Sequence, residues 1–169
     1  MNTKNLLLAG MLSLFISITI SACNGGDKKA APLPADSLTT EETIVEQPDT
    51  VLFWTINDYD KTKTRVYNDS ADITGAQSVI NGINSIYPDI HLVFINQSND
   101  TVYAKIDSAF AFANDMGTSG AAEYLSTVVI NLTTLNNVNF VNLDFPRGSH
   151  ASPGVFSKKN YENFKVKEQ

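Results

Sequence analysis

The residues with the strongest claim to chemistry sit in FPRGSHASPGVFSKKNY, residues 145–161. This stretch holds a histidine, an arginine, two glycines, two prolines and three serines, directly after an alternating apolar run. His150, with Ser149 and Ser152 beside it, has the parts of a hydrolytic base and nucleophile, provided a carboxylate orients the ring within hydrogen-bond reach. Asp107 or Asp144 could serve, and spacing selects neither. The nucleophile-elbow pattern GxSxG is absent from the sequence. The loop has a second use, recognition of a partner or glycan, because Arg147, His150 and Tyr161 form a basic and aromatic cluster on an otherwise acidic chain. Its third use is closure. Pro146 ends a strand because it cannot continue a ladder, SPG (152–154) reads as a tight turn with Gly154 at positive φ, and Val155, Phe156, Tyr161 and Phe164 can cover a sheet edge or fill the core beneath it.

The remaining candidates are plainer. His91 lies in IHLVF, where strand alternation sets it opposite Leu92 and Phe94, on an exposed face. Asp58 and Asp60 in NDYD stand two apart, yet the following KTKTR lacks the glycine and later glutamate of a calcium loop, and its lysines repel a cation; the pair reads as a solvated turn. GTSGAA (117–122) has neither the GK[ST] ending of a phosphate loop nor a GxGxxG pattern. It reads as close helix packing with Thr118 or Ser119 as a cap. Cys23 is the only cysteine, which excludes a cysteine zinc site and leaves no disulfide to form once that thiol is used. No metal, cofactor or enzymatic activity is expected.

The N-terminus says where such a chain resides. In MNTKNLLLAGMLSLFISITISA (1–22), one lysine precedes an apolar run from Leu6 to Ile20 and small residues follow, the layout of a secretory signal peptide. The apolar run is marginal for a membrane span, which needs about 20 residues. Cys23 stands immediately after Ser21 and Ala22. This resembles the lipobox of bacterial lipoproteins, which implies a diacylglyceryl group on Cys23 and a mature chain that begins there. Each buried CH₂ contributes about 0.8 kcal/mol, so more than one acyl chain anchors stably. Asn24 lacks the acidic character that favours inner-membrane retention, which points to the outer membrane. Loss of Lys4 with the signal leaves 11 basic against 18 acidic residues. So acidic a chain is unsuited to nucleic acid and to direct electrostatic attraction by anionic lipid. Residues 24–49 carry six acids, two lysines and few large apolar groups, and read as a disordered tether.

From Thr50 to Gln169 apolar residues become frequent and periodic, enough for one small domain. TVLFWTIN (50–57) reads as a buried strand, DYDKTK (58–63) as a charged turn and TRVYN (64–68) as the second arm of a hairpin. Asp72 is placed to cap a helix carrying Ile73, Ala76, Ile80 and Ile83, which Pro88 stops. Gly75 and Gly82 each cost that helix roughly 1 kcal/mol relative to Ala. DIHLVFIN (89–96) and TVYAKID (101–107) form a second hairpin. Ala121, Leu125, Val128, Val129, Leu132 and Leu135 fall on one face of a second helix. VNFVNLDF (138–145) closes with alternating Val141, Leu143 and Phe145. The expected fold is α+β, a mixed sheet with two helices packed on one face.

The block TVYAKIDSAFAFANDMGTSGAAEYLSTVVINLTTLNNVNFVNLDF resembles the GerMN domain, a family named from sporulation and spore-germination proteins. The family's V-x-V-D-x-S strand is matched by Ala104, Ile106, Asp107 and Ser108. Gly117 and Gly120 match the glycines that open its helix. Asn131, Leu132, Thr133, Thr134, Leu135 and Val138 match its T-L-T-E-L-x-x-V run, with Thr134 where the family has Glu, and NSIYPDI (84–90) replaces its GP segment. The resemblance implies an extracytoplasmic module carried on a lipoprotein or beside cell-wall-active domains, with no catalytic residues to transfer. The function expected is therefore a lipid-anchored envelope protein whose domain binds an envelope protein or peptidoglycan without catalysis. Two rivals stand beside it: a hydrolase using His150, and a homo-oligomeric assembly subunit that stacks domain on domain.

Overall fold

The computed structural model describes residues 48–168. The signal segment, Cys23 and nearly all of the expected tether lie outside the described residues. The first hairpin pairs β1 (Trp54–Asn57) with β2 (Thr62–Arg65), antiparallel, with Trp54 opposite Arg65 and Ile56 opposite Lys63. Lys61 closes its turn with a left-handed φ of 51°. Helix α1 (Ala76–Ile86) follows and buries Val79, Ile80 and Ile83. The second hairpin joins β3 (Leu92–Ser98) to β4 (Thr101–Ile106) through Asn99, which adopts φ 53°, and Asp100. A π-helical turn (Ala111–Asp115) leads into α2 (Gly117–Leu132), and β5 (Phe140–Asp144) returns parallel to β4. The tail then adds two strands: β6 (Gly154–Ser157), antiparallel to β5, and the two-residue β7 (Lys165–Val166), parallel to β2.

The class is α+β, and the strands divide between two mixed sheets, ordered β1-β2-β7 and β3-β4-β5-β6. Helix α2 packs against β1, β5 and α1, so it lies between the sheets rather than on one face of either. Nine of its sixteen residues are buried, including Tyr124, Ser126, Thr127 and Asn131, the mark of a helix surrounded by protein. The core joins Phe53, Ile80, Ile83, Phe112, Tyr124, Val128, Leu132, Val141 and Leu143.

Local expectations change at four places. Asp72 does not cap α1. Ser70 caps a separate 3-10 turn (Ala71–Ile73) by accepting from Asp72 N, and Gly75 precedes the helix without a side-chain cap. Gly82 is there for space: a Cβ on it would lie 2.1 Å from the Val51 carbonyl oxygen, where the incoming chain crosses α1. Thr118 and Ser119 fall inside α2 and do not cap it. SPG (152–154) makes no turn, although Gly154 has the expected positive φ, 158°, as it opens β6 opposite Leu143.

Two asparagines tie the helices to sheet edges by one device. Asn131 of α2 accepts from Trp54 N at 2.9 Å and donates to Trp54 O at 3.0 Å. Asn84 of α1 accepts from Leu92 N at 3.0 Å and donates to Leu92 O at 2.8 Å. Each amide presents the donor and acceptor of a neighbouring strand, satisfying edge groups that would otherwise be open to further pairing.

Candidate functional site

The 145–161 loop separates into two places. Its first half is stapled to the π-helical turn. His150 N donates to Ala113 O at 3.0 Å. Ser149 N and Oγ both donate to Asn114 Oδ1, at 3.2 and 3.3 Å. A Cβ on Gly148 would lie 2.4 Å from Ala113 O, so only glycine permits the approach. The His150 ring is half-buried, with Nδ1 3.1 Å from the Thr118 hydroxyl. No hydrogen bond joins His150 to Asp107 or Asp144; Asp107 is held instead by Lys105, Nζ to Oδ1 2.8 Å, with His91 at 3.8 Å. The neighbouring ammonium keeps the Asp107 carboxyl below its ordinary range. Arg147 is exposed and lines a cleft of about 300 Å³ with Ser108, Phe110 and Asn114.

Tyr161 lies in another cleft, across β6 from this cluster. Its ring meets Phe164 at a centroid distance of 6.1 Å. It lines a space of about 270 Å³ together with Trp54, Lys63, Ile130, Thr133, Thr134, Lys158 and Glu162. Three segments build the walls: the β1–β2 hairpin, the C-terminal end of α2 and the 3-10 turn Lys158–Tyr161.

Trp54 organises the cleft. Asn131 holds its backbone, and its indole Nε1 donates to Thr134 Oγ1 at 2.9 Å. Lys63 Nζ stands 4.9 Å and Arg65 Cζ 4.7 Å from the centre of its ring, both within cation–π range. Alternation along β2 puts Lys63 and Arg65 on one face, and cross-strand pairing aligns them with Ile56 and Trp54. Burial, then the proximity of Lys158 and Arg65, lowers the pKa of Lys63. The Lys63 ammonium makes no hydrogen bond or ion pair with a described residue. Burial raises the Tyr161 hydroxyl to about 12, with Asp58 adding to the effect.

The charge pattern extends beyond the cleft. Of the nine basic residues in 48–168, Lys61, Lys63, Arg65, Lys158, Lys159, Lys165 and Lys167 belong to this small sheet and its adjoining turn; only Lys105 and Arg147 lie elsewhere. Lys165 N donates to Lys61 O and Lys167 N to Lys63 O, each at 2.9 Å, so the tail adds its lysines beside β2. Asp58 is less solvated than the sequence implies, its side chain 15% exposed and bonded to Lys61 Nζ at 2.8 Å. Sequence reasoning singled out Tyr161 but missed Trp54, Lys63, Arg65 and Lys158. The signal available was KTKTR, whose period of two places cations on one face of a strand.

Among the described residues, no group of three or more His, Cys, Asp and Glu is arranged to hold a metal ion, and no helix is long and apolar enough to cross a membrane. No family model, curated protein or solved structure matches this chain.

Proposed function

We propose that this chain is a lipid-anchored cell-envelope protein, acylated on Cys23, whose GerMN-like α+β domain binds peptidoglycan without catalysing a reaction on it. The binding surface is the cleft between Trp54, Lys63, Lys158 and Tyr161. The observation that carries this reading is that seven of the nine described basic residues of an acidic chain belong to the small sheet and its adjoining turn, with Lys63 and Lys158 lining the cleft. Folding alone does not call for it, because like charges brought together raise the energy of the folded state. A cleft of about 270 Å³ suits one small group of a polymer better than a protein partner, whose stable interface needs about 800 Å² from each side. The acyl anchor and tether would hold the cleft within reach of the wall. The His150 hydrolase has less support, because its Nδ1 meets the hydroxyl of Thr118 in α2 and neither Asp107 nor Asp144 bonds to its ring. Sedimentation of the full-length protein, purified in detergent, with isolated sacculi tests the proposal. Pelleting above a control acidic protein is expected, and no pelleting overturns wall binding.

A further inference from the structure

The chemistry of the cleft walls narrows the ligand, an inference that rests on the wall-binding reading above. The lining carries two cations, Lys63 and Lys158. It also offers acceptors. Thr134 Oγ1 already donates to Ile130 O at 2.8 Å, and Thr133 Oγ1 to Val129 O at 2.7 Å. Each hydroxyl has spent its single proton. Thr133 is buried and Thr134 Oγ1 also accepts from Trp54 Nε1, so one lone pair of Thr134 is left for a ligand. Glu162 adds a carboxylate to the same lining, and Trp54, Ile130 and Tyr161 add apolar surface.

A ligand complementary to this lining carries an anion, hydroxyl or amide donors and an apolar ring face. Fully ionised phosphate brings only acceptors, and would set them against Glu162 and the Thr134 oxygen. A neutral sugar satisfies those acceptors and leaves the desolvated Lys63 without a counter-charge. We propose that the Trp54–Lys63–Lys158 cleft binds a saccharide unit bearing a carboxylate, with the carboxylate on Lys63 and Lys158 and its hydroxyl or amide donors on Thr134 and Glu162. The volume fits such a unit, since pockets for drug-sized ligands begin at about 300 Å³.

Trp54 is the only tryptophan in the chain, so its emission reports directly on the cleft. The full-length protein in detergent is titrated with N-acetylmuramic acid, with N-acetylglucosamine (which lacks the carboxylate) and with inorganic phosphate. A saturable change is expected with the first alone. Lys63→Met should weaken that response roughly tenfold or more, the loss of one charge-assisted hydrogen bond, while Lys63→Arg stays within about threefold because the charge is kept. Circular dichroism of each variant confirms that it is folded. A neutral-sugar curve equal to that of the acid, saturation by phosphate alone, or an unchanged response in Lys63→Met overturns the carboxylate assignment. No response to either sugar while sacculi still pellet the protein also overturns it and leaves wall binding standing. A response to the acid without pelleting overturns wall binding and leaves the ligand class standing.

Discussion

At the scale of single residues, function and stability pull apart at Lys63 and coincide at Asn131. Lys63 is partly desolvated and faces two more cations, so the folded state holds its proton less tightly than the unfolded chain does. Between its lowered folded pKa and the ordinary 10.5, the unfolded chain keeps the proton and the folded chain releases it, so this group's contribution to stability rises with pH across that window. Below it the charge opposes folding. Lys63→Met keeps the stem on Trp54 and removes the charge, so its Tm at pH 7 should equal or exceed the wild type; a fall of more than about 4 °C, on the order of 1 kcal/mol, would contradict this. Asn131 is completely buried and serves Trp54 N, Trp54 O and Thr127 O at once. Asn131→Ala leaves Trp54 N and Trp54 O without that partner, at about 1–3 kcal/mol for each that stays dry. The expected loss is at least about 2 kcal/mol in a denaturant titration, with a red shift of Trp54 emission. A smaller loss with unshifted emission would show that Asn131 does not position the indole.

At the scale of elements, what the sequence revealed and what it hid follow one physical divide. Local periodicity is enough to find α1 from Ile80 and Ile83, the 92–106 hairpin from its alternation around Asn99 and Asp100, and β5 from Val141 and Leu143. Placement of α2 between two sheets was hidden, because its buried Ser126, Thr127 and Asn131 look polar until their partners on other elements are known. The cleft was hidden for the same reason. Trp54 and Lys63 share one hairpin, but Thr134 and Lys158 come from segments far along the chain, and only the return of the tail as β7 brings its lysines beside β2. Arg147 and Tyr161 look like one cluster because they are close in sequence, yet β6 runs between them and sends them to different clefts. Gly82 shows the divide at one position. Helix propensity alone favours Gly82→Ala by roughly 1 kcal/mol, whereas the added methyl would meet the Val51 carbonyl at 2.1 Å. Overpacking costs about 1–3 kcal/mol or more, so Gly82→Ala should destabilise the protein. A raised Tm would contradict the close crossing of residues 51–53 over α1.

At the scale of the whole molecule, the proposed N-terminal anchor and tether carry a domain whose basic residues are gathered on its smaller sheet. Net charge says little about such a surface, because a chain of formal charge −6 still presents one cationic, aromatic-lined cleft. The first part of the 145–161 loop, residues 145–150, is bound to the π-helical turn by hydrogen bonds from Ser149 and His150 and by the close approach of Gly148. These contacts suit closure, and the proposed binding cleft lies across β6. The most direct measurement is therefore co-sedimentation with sacculi of the full-length protein in three forms: wild type, Lys63→Met/Lys158→Met and Arg147→Ala/His150→Ala. The account predicts that the wild type and the Arg147/His150 variant pellet alike, while the Lys63/Lys158 variant stays in the supernatant. Retention of pelleting by the lysine variant, with its loss in the Arg147/His150 variant, would contradict the account and move the site to the 145–150 loop.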